Sequence, residues 1–167
     1  SNKLSVAEYT IGLIIALAKN YFIYDSELRK ENFEIRNIKG MDLEGKTLGL
    51  IGFGKIGQLV AKKASLGLGM KILVYKRKVG NKKVIDGIEF TEELNHVLKN
   101  ADFLSLHIPY TKDTKKLIGK NEISLMKKEA FLINTARGEV IDNDALADAL
   151  ECRKIAGAAI DVFENEI

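Results

Sequence analysis

The stretch TLGLIGFGKIG, from Thr47 to Gly57, constrains the fold of this chain more than any other. Residues 47–51 form a short apolar run between glycines, which predicts a buried strand. This run leads directly into the pattern G-x-G-x-x-G, and residues 55–68 then show the spacing of a helix. The stretch therefore predicts a strand, a tight glycine turn and a helix, the first half of a β-α-β unit.

Each glycine in this turn has its own predicted part. Gly52 permits the tight turn, Gly54 lets the backbone approach a pyrophosphate, and Gly57 lets the helix pack closely against the strand. The amides of Lys55 and Ile56, at the start of the helix, would then face an anion. A lone G-x-G-x-x-G is weak evidence, but its place between a strand and a helix favours a dinucleotide site over a glycine turn without a ligand.

Strand and helix patterns alternate along the rest of the chain, which is typical of an α/β protein. Further buried strands are predicted at 71–75, 101–106, 130–134 and 156–160, with a short edge strand at 88–90. We expect a Rossmann-type doubly wound parallel sheet in a single domain, 1–167, with strand order 3-2-1-4-5-6. Ligands bind beyond the carboxyl ends of the strands in such sheets. One site should therefore be formed by the loops that follow Ile51, Tyr75, Leu106, Asn134 and Ile160.

The first helix is apolar on nearly all sides. Ser5 and Glu8 have the spacing of a capping box, and the helix is predicted to continue through residues 11–24. A helix with one wet face would carry a single apolar stripe. We therefore expect burial on more than one side, in the core, at a subunit interface or against a second domain. Helix caps are also predicted at Thr91 and at 142–144.

Basic residues stand where the second strand ends. Sites that favour NAD usually place Asp or Glu there to bind the ribose hydroxyls. This chain has Lys76 and Arg77, directly after Tyr75. A cation cannot accept hydrogen bonds from hydroxyls, but it can pair with the 2′-phosphate of NADP. The cofactor is therefore predicted to be NAD or NADP, with NADP somewhat favoured. A solvated basic loop is the alternative, and a nucleic-acid patch is less favoured because no aromatic residues interleave with the run.

Two polar segments follow later strands. The segment NTARG, 134–138, places Arg137 where its planar fork could bind a carboxylate. The segment 161–166 brings carboxylates to the same edge of the sheet. A buried arginine–glutamate salt bridge is the structural alternative.

Composition limits the remaining functional classes. The chain is 46% hydrophobic and 29% charged with a net charge of +3, too little charge to indicate nucleic acid or membrane as a partner. The single cysteine, Cys152, indicates a reducing compartment, and we see neither a secretory signal nor an apolar run near the about 20 residues of a membrane span. We therefore expect a cytoplasmic protein. No metal-ligand spacing is present: His96 is expected at the surface, and His107 in packing or a cofactor loop rather than as a proton donor.

Taken together, five stretches closely resemble the D-isomer-specific 2-hydroxyacid dehydrogenases, the family of D-3-phosphoglycerate dehydrogenase and glyoxylate/hydroxypyruvate reductase. They are SNKLSVAEYTIGLIIALAK, LEGKTLGLIGFGKIGQLVA, ADFLSLHIPYTKDTKKLIG, LINTARGEVIDNDALADAL and IAGAAIDVFENE. The resemblance implies an oxidoreductase that transfers a hydride between nicotinamide and a D-2-hydroxy or 2-oxo acid. It also implies a homodimer formed through the cofactor domain, with 1–30 as the hinge and dimerisation region.

The resemblance further implies individual roles. Arg137 matches the catalytic arginine that binds the substrate carboxylate, and Glu166 matches the glutamate that raises the pKa of the family's catalytic histidine. Asp161 matches the aspartate that holds the nicotinamide carboxamide, with Thr135 and Ala136 beside the ring. Other predicted cofactor contacts are Tyr75, His107, Ile108, Pro109, Thr114 and Asn134.

Some features depart from the family pattern. The family's catalytic histidine lies beyond Glu166, and its substrate domain is built from segments outside these 167 residues. We therefore expect this chain to bind cofactor and to turn over little substrate by itself. A non-catalytic nicotinamide sensor of the corepressor type and a formate- or phosphite-oxidising relative are the alternatives.

Overall fold

The computed structural model describes residues 2–81 and 83–164, except for the side chain of Arg36. These residues form six α-helices and a single seven-stranded sheet. The helices are α1 Lys3–Ala18, α2 Tyr21–Arg29, α3 Lys55–Leu68, α4 Leu94–Asn100, α5 Lys120–Leu125 and α6 Asn143–Glu151. The strands are β1 Thr47–Ile51, β2 Lys71–Tyr75, β3 Val84–Ile85, β4 Ile88–Thr91, β5 Phe103–Leu106, β6 Phe131–Asn134 and β7 Gly157–Ile160.

The strands lie in the order β3-β4-β2-β1-β5-β6-β7. All neighbouring pairs are parallel except β3 with β4. Without β3 the order is the predicted 3-2-1-4-5-6, so the doubly wound topology is confirmed. The prediction that 88–90 forms the edge is wrong, because β3 pairs outside β4. The two strands are joined by Asp86 and Gly87, whose positive φ angles of 51° and 77° suit a tight hairpin turn.

Helices cover both faces of the sheet. On one face, α1 and α3 pack over Leu48 and Leu50 of β1, and on the other α4, α5 and α6 pack around Ile51. Successive strand residues point to opposite faces, so these buried strands carry apolar side chains in both directions. This explains why they are continuous apolar runs in the sequence.

The amino-terminal helical region differs from its prediction in two ways. Helix α1 begins at Lys3, so Ser5 and Glu8 lie inside the helix and do not cap it. The chain then breaks at Asn20, which has a left-handed φ of 56°, and continues as α2. An all-round apolar pattern has no stripe whose phase would reveal such a break. No single helix among the described residues is long and apolar enough to span a membrane; only α1 and α2 together reach that length and composition, and they are bent by 64°.

The other two predicted caps had different outcomes. Asp142 caps α6 as expected, since its carboxylate accepts a hydrogen bond from the Ala145 amide at 3.3 Å. The cap of α4 is Glu93 rather than Thr91. The Thr91 hydroxyl still accepts from the Glu93 amide at 3.1 Å, so it shapes the turn before the helix.

The carboxyl ends of five parallel strands are in register, and this positions the candidate site. Ile51 lies opposite both Tyr75 and Leu106, Leu106 lies opposite Asn134, and Asn134 lies opposite Ile160. The five loops that follow therefore leave the sheet at one level along a single edge.

Candidate functional site

The glycine turn leaves no room for side chains at two positions. Gly52 has a φ of +97°, and a Cβ atom there would lie 2.6 Å from the carbonyl oxygen of His107. A Cβ on Gly57 would lie 2.7 Å from the carbonyl oxygen of Gly52. Gly52 thus permits the turn and Gly57 lets α3 approach β1, as predicted, while any contact with a cofactor stays a prediction.

Gly54 differs because a Cβ on it would meet nothing within 4 Å. It is the residue before α3, and no side chain caps that helix. The first intrahelical bond near it joins the Gln58 amide to the Gly54 carbonyl at 2.9 Å. The amides of Lys55 and Ile56 therefore lack intrahelical acceptors and stand at the positive end of the helix dipole. Open space in front of free amides fits the diphosphate of a dinucleotide.

A cavity of about 500 Å³ lies next to this turn, between the loops after β1, β2 and β5. It is lined by Gly52, Tyr75, Lys76, Arg77, Lys78 and Ile108. Five of these six were predicted cofactor contacts, and Lys78 is an addition. A second cavity, of about 470 Å³, shares Lys76 and extends from Phe53 and Gln58 towards the β3–β4 hairpin.

The three basic residues at the end of β2 are all exposed. The ammonium of Lys76 lies 5.7 Å from the ring centre of Phe90, a cation–π distance. One Arg77 guanidinium nitrogen lies 3.7 Å from a carboxylate oxygen of Asp113, and both side chains are open to solvent. Such exposed contacts are weak, so these side chains can turn towards an anion at little cost.

His107 is hydrogen-bonded through both its backbone and its ring. Its backbone amide donates to the Ile51 carbonyl at 2.8 Å, and its ring nitrogen Nε2 is hydrogen-bonded to the buried Ser105 hydroxyl at 2.9 Å. The residue is half-buried overall, but loss of hydration around the ring lowers its pKa from 6.5 to about 4. This supports the packing role over the proton-donor role at neutral pH.

The loop after β5 is closed by Thr114. Its hydroxyl donates to the Pro109 carbonyl at 2.7 Å and accepts from the Thr111 amide at 2.7 Å. Ile108 faces the 500 Å³ cavity, whereas Thr114 serves the loop itself. The predicted cofactor contacts of Pro109 and Thr114 stay predictions.

The loop after β6 is built on Asn134. This buried side chain donates from Nδ2 to the Arg137 carbonyl at 2.9 Å, and its Oδ1 accepts from the Ala136 amide at 3.0 Å. Both ends of the amide are thus engaged in shaping the turn. Arg137 is exposed, and one of its guanidinium nitrogens donates to the Ala136 carbonyl at 2.6 Å. No carboxylate of the described residues lies within 4.0 Å of Arg137. These residues therefore give no support to the alternative of a buried arginine–glutamate salt bridge.

The chain after β7 crosses directly over this loop. The Asp161 amide donates to the Asn134 carbonyl at 3.0 Å, which extends the pairing of β6 and β7. A Cβ on Gly138 would lie 2.5 Å from both the Glu164 nitrogen and the Phe163 oxygen. Only a glycine beside Arg137 lets the segment 162–164 pack so closely. Glu166, the second predicted catalytic residue, lies outside the described residues.

A buried polar contact ties this loop to α1. The Thr10 and Thr135 hydroxyl oxygens are 3.0 Å apart, and Thr10 also donates to the Val6 carbonyl at 2.8 Å. The sequence reasoning missed this contact, the packing at Gly138 and the Ser105 partner of His107. The signal available for Thr10 was a polar residue directly before the apolar run 11–18.

Other chemistry is limited. Within 2–81 and 83–164, no group of three or more His, Cys, Asp or Glu side chains could hold a metal ion. A further cavity of about 440 Å³ lies away from the strand ends, between α5 and α6, beside the exposed Cys152.

Comparison with known proteins agrees with this geometry. Residues 11–167 match the family model described as "D-isomer specific 2-hydroxyacid dehydrogenase, NAD binding domain". The chain is 44% identical over 168 residues to D-3-phosphoglycerate dehydrogenase of Methanocaldococcus jannaschii, covering 99% of this chain and 32% of that protein. It therefore spans only part of that relative's length.

Solved structures match equally well. D-lactate dehydrogenase from Aquifex aeolicus, complexed with NAD and lactic acid, has a TM-score of 0.88 at 42% identity, over 96% of this chain and 48% of that one. The acyclic imino acid reductase Bsp5, in complex with NADPH and D-Arg, has a TM-score of 0.88 at 34% identity, over 99% and 52%. With the family match, the strand order and the glycine turn in agreement, the chain belongs to the D-isomer-specific 2-hydroxyacid dehydrogenase family and contains its NAD(P)-binding domain.

Proposed function

We propose that this chain is the cofactor-binding part of an NAD(P)-dependent D-2-hydroxyacid dehydrogenase and that Arg137 binds the substrate carboxylate. The exposed Arg137 guanidinium, at the same sheet edge as the glycine turn, carries this proposal. A relative named for D-3-phosphoglycerate and a structural neighbour with lactic acid support a D-2-hydroxy acid as the substrate class.

Each residue contributes by binding or orienting. The amides of Lys55 and Ile56 would hold the diphosphate, and Asp161 would accept from the carboxamide. When bound, the nicotinamide supplies or accepts the hydride. Arg137 fixes the carboxylate of the 2-oxo acid with its fork, and its charge stabilises negative charge that develops on the carbonyl oxygen.

Glu166 is proposed to act with Arg137. The backbone of Glu164 packs against Gly138, next to Arg137. Glu166 follows two residues further along the sequence. In this proposal it raises the pKa of a histidine supplied from outside these 167 residues, which handles the substrate proton.

NADP is proposed as the preferred cofactor, because Lys76, Arg77 and Lys78 line the cavity beside the glycine turn and no acidic residue among those described does. Paired titrations with NADPH and NADH test this. We expect tighter binding of NADPH and a selective loss of about tenfold in Lys76→Asp or Arg77→Asp. Lys99→Asp is the charge-matched control, since Lys99 lies in the last turn of α4, just before the amino end of β5, and does not line this cavity. Equal or tighter binding of NADH by the unmodified chain would reject the NADP preference.

A homodimer formed through residues 1–30 completes the proposal. Helix α2 has no buried residue, and Tyr21, Phe22 and Ile23 are 56%, 58% and 48% exposed. Sedimentation at tens of micromolar should give a dimer that Phe22→Asp dissociates, whereas Val84→Asp, on the distant hairpin, should not. A monomer in the unmodified protein would contradict the proposed homodimer.

A cytoplasmic location is also proposed. Its basis is the single cysteine, Cys152, which is free, as is usual for proteins of a reducing compartment.

Activity separates this proposal from a non-catalytic sensor. The protein containing this chain should oxidise NADPH in the presence of a 2-oxo acid, followed at 340 nm. Arg137→Lys keeps the charge but loses the planar fork. We expect it to raise KM for the 2-oxo acid at least tenfold with unchanged cofactor affinity. Full activity in this variant would reject the role of Arg137.

A further inference from the structure

The Thr10–Thr135 contact joins two distant parts of the chain. The residues are 125 positions apart, and their side-chain oxygens meet at 3.0 Å. Thr10 is completely buried and Thr135 is 8% exposed. Burying a hydroxyl costs free energy unless it is hydrogen-bonded, so the bond to Thr10 compensates the burial of the Thr135 hydroxyl when α1 packs on this loop.

The direction of this hydrogen bond follows from counting protons. Each threonine hydroxyl has one proton to donate. Thr10 donates its proton to the Val6 carbonyl, which can only accept. The proton between the two hydroxyls therefore belongs to Thr135, and Thr10 is its acceptor.

The acceptor stands on a rigid support. Helix α1 packs against α3, β6 and β7. Thr135 directly precedes Ala136 and Arg137, which stand in the loop after β6. Asn134 stabilises this loop by a hydrogen bond to the Arg137 carbonyl within the loop, whereas Thr10 bonds to it from helix α1.

We propose that Thr10 is a positioning residue of the nicotinamide side of the site. By accepting a hydrogen bond from the Thr135 hydroxyl, Thr10 fixes the backbone of residues 135–137 relative to α1. This inference rests on the proposed function, which places the nicotinamide ring beside Thr135 and Ala136. Thr10 itself touches neither cofactor nor substrate in this proposal.

Two ligand pairs test the inference. NADPH contains the nicotinamide, whereas 2′-phospho-ADP-ribose has the same adenosine half without it; NADH and ADP-ribose form the parallel pair. We expect Thr10→Val to weaken NADPH binding about five- to tenfold, the scale of one lost hydrogen bond. Binding of 2′-phospho-ADP-ribose should stay within twofold. Thr10→Ser keeps the acceptor and should restore NADPH binding to within twofold.

Further variants keep the test decisive if Thr10→Val folds poorly. Thr135→Val removes the same bond from its other end and should show the same selective loss. The double variant should lose no more than either single variant, because both remove one interaction. Thr47→Val, at the opposite end of β1, is the matched control and should change neither affinity.

The outcomes separate the two proposals. An unmodified protein that binds neither ligand would reject the proposed function. A Thr10→Val variant that loses both ligands equally, or neither, would reject the positioning role while leaving the proposed function standing.

Discussion

The tight packing at Gly138 leads to a prediction about both site geometry and stability. Replacing Gly138 with alanine puts a methyl group 2.5 Å from the Phe163 oxygen and the Glu164 nitrogen. Ordinary contact begins at 3.4 Å, so the segment 162–164 must retreat by about 1 Å. The φ of Gly138 is not in the left-handed region, so the clash is the only strain introduced.

The clash should affect both the fold and the site. Overpacking typically costs about 1–3 kcal/mol, and we expect the upper end because the atoms that obstruct the methyl group are backbone atoms of Phe163 and Glu164. A displacement of about 1 Å at a reacting centre can cost about 100-fold in rate. In the protein containing this chain, Gly138→Ala should therefore lower the free energy of unfolding by about 3 kcal/mol and reduce turnover of a 2-oxo acid by about 100-fold.

Urea unfolding and absorbance at 340 nm measure these two quantities in the same preparation. Gly67→Ala is the control, because a Cβ there meets nothing within 4 Å and alanine favours the helix. Turnover by Gly138→Ala within twofold of the unmodified protein would show that catalysis does not depend on the position of the segment 162–164.

Three further predictions concern the same edge of the sheet. Gly54→Ala should weaken NADPH binding at least tenfold in calorimetry, because its methyl group would occupy the open space proposed for the diphosphate. Stability should not fall, since Gly54 has a φ of −74° that alanine can adopt. Unchanged affinity would contradict the diphosphate site. Asn134→Ala should lower the free energy of unfolding by about 2 kcal/mol, because two hydrogen bonds of a buried side chain are lost; a loss below about 0.5 kcal/mol in urea unfolding would argue against its role in the turn. Burial depresses the folded-state pKa of His107, so its contribution to stability is complete above pH 6.5 and is lost as pH falls to about 4. His107→Gln should flatten the pH dependence of unfolding in that window, and an unchanged slope would mean that the ring titrates normally.

The sheet order could be predicted from the sequence because apolar runs and helical spacing alternate. Both ends of β1, α3 and β2 match their predicted bounds. The remaining parallel strands were found within one or two residues. A buried parallel strand is apolar on both faces, so its pattern survives without knowledge of its neighbours.

The misses have physical reasons. The two residues of β3 are too few for a periodic signal, although the Asp86-Gly87 pair beside them is a hairpin signal that could have been used. The break at Asn20 depends on a single left-handed residue between two helical segments. Such local backbone choices are set by tertiary packing rather than by pattern.

The sequence was sufficient to predict which loops form the site. Strand ends in a parallel sheet meet at one edge, so Tyr75, Ile108 and Arg137 could be assigned to it from their places in the sequence. The contacts that fix those loops could not be assigned. The pairing of Thr10 with Thr135 and the packing of Gly138 under Glu164 each join residues far apart in the chain.

The β3–β4 hairpin also affects how the chain behaves at high concentration. A parallel sheet that ended at β4 would present four residues of unpaired backbone, a template for pairing with another chain. β3 pairs with Ile88 and Glu89 of this border, and the strand that it adds has two residues within the described part of the chain. Two residues are too few to hold an incoming strand in register, so we expect the hairpin to weaken pairing with another chain at this side of the sheet.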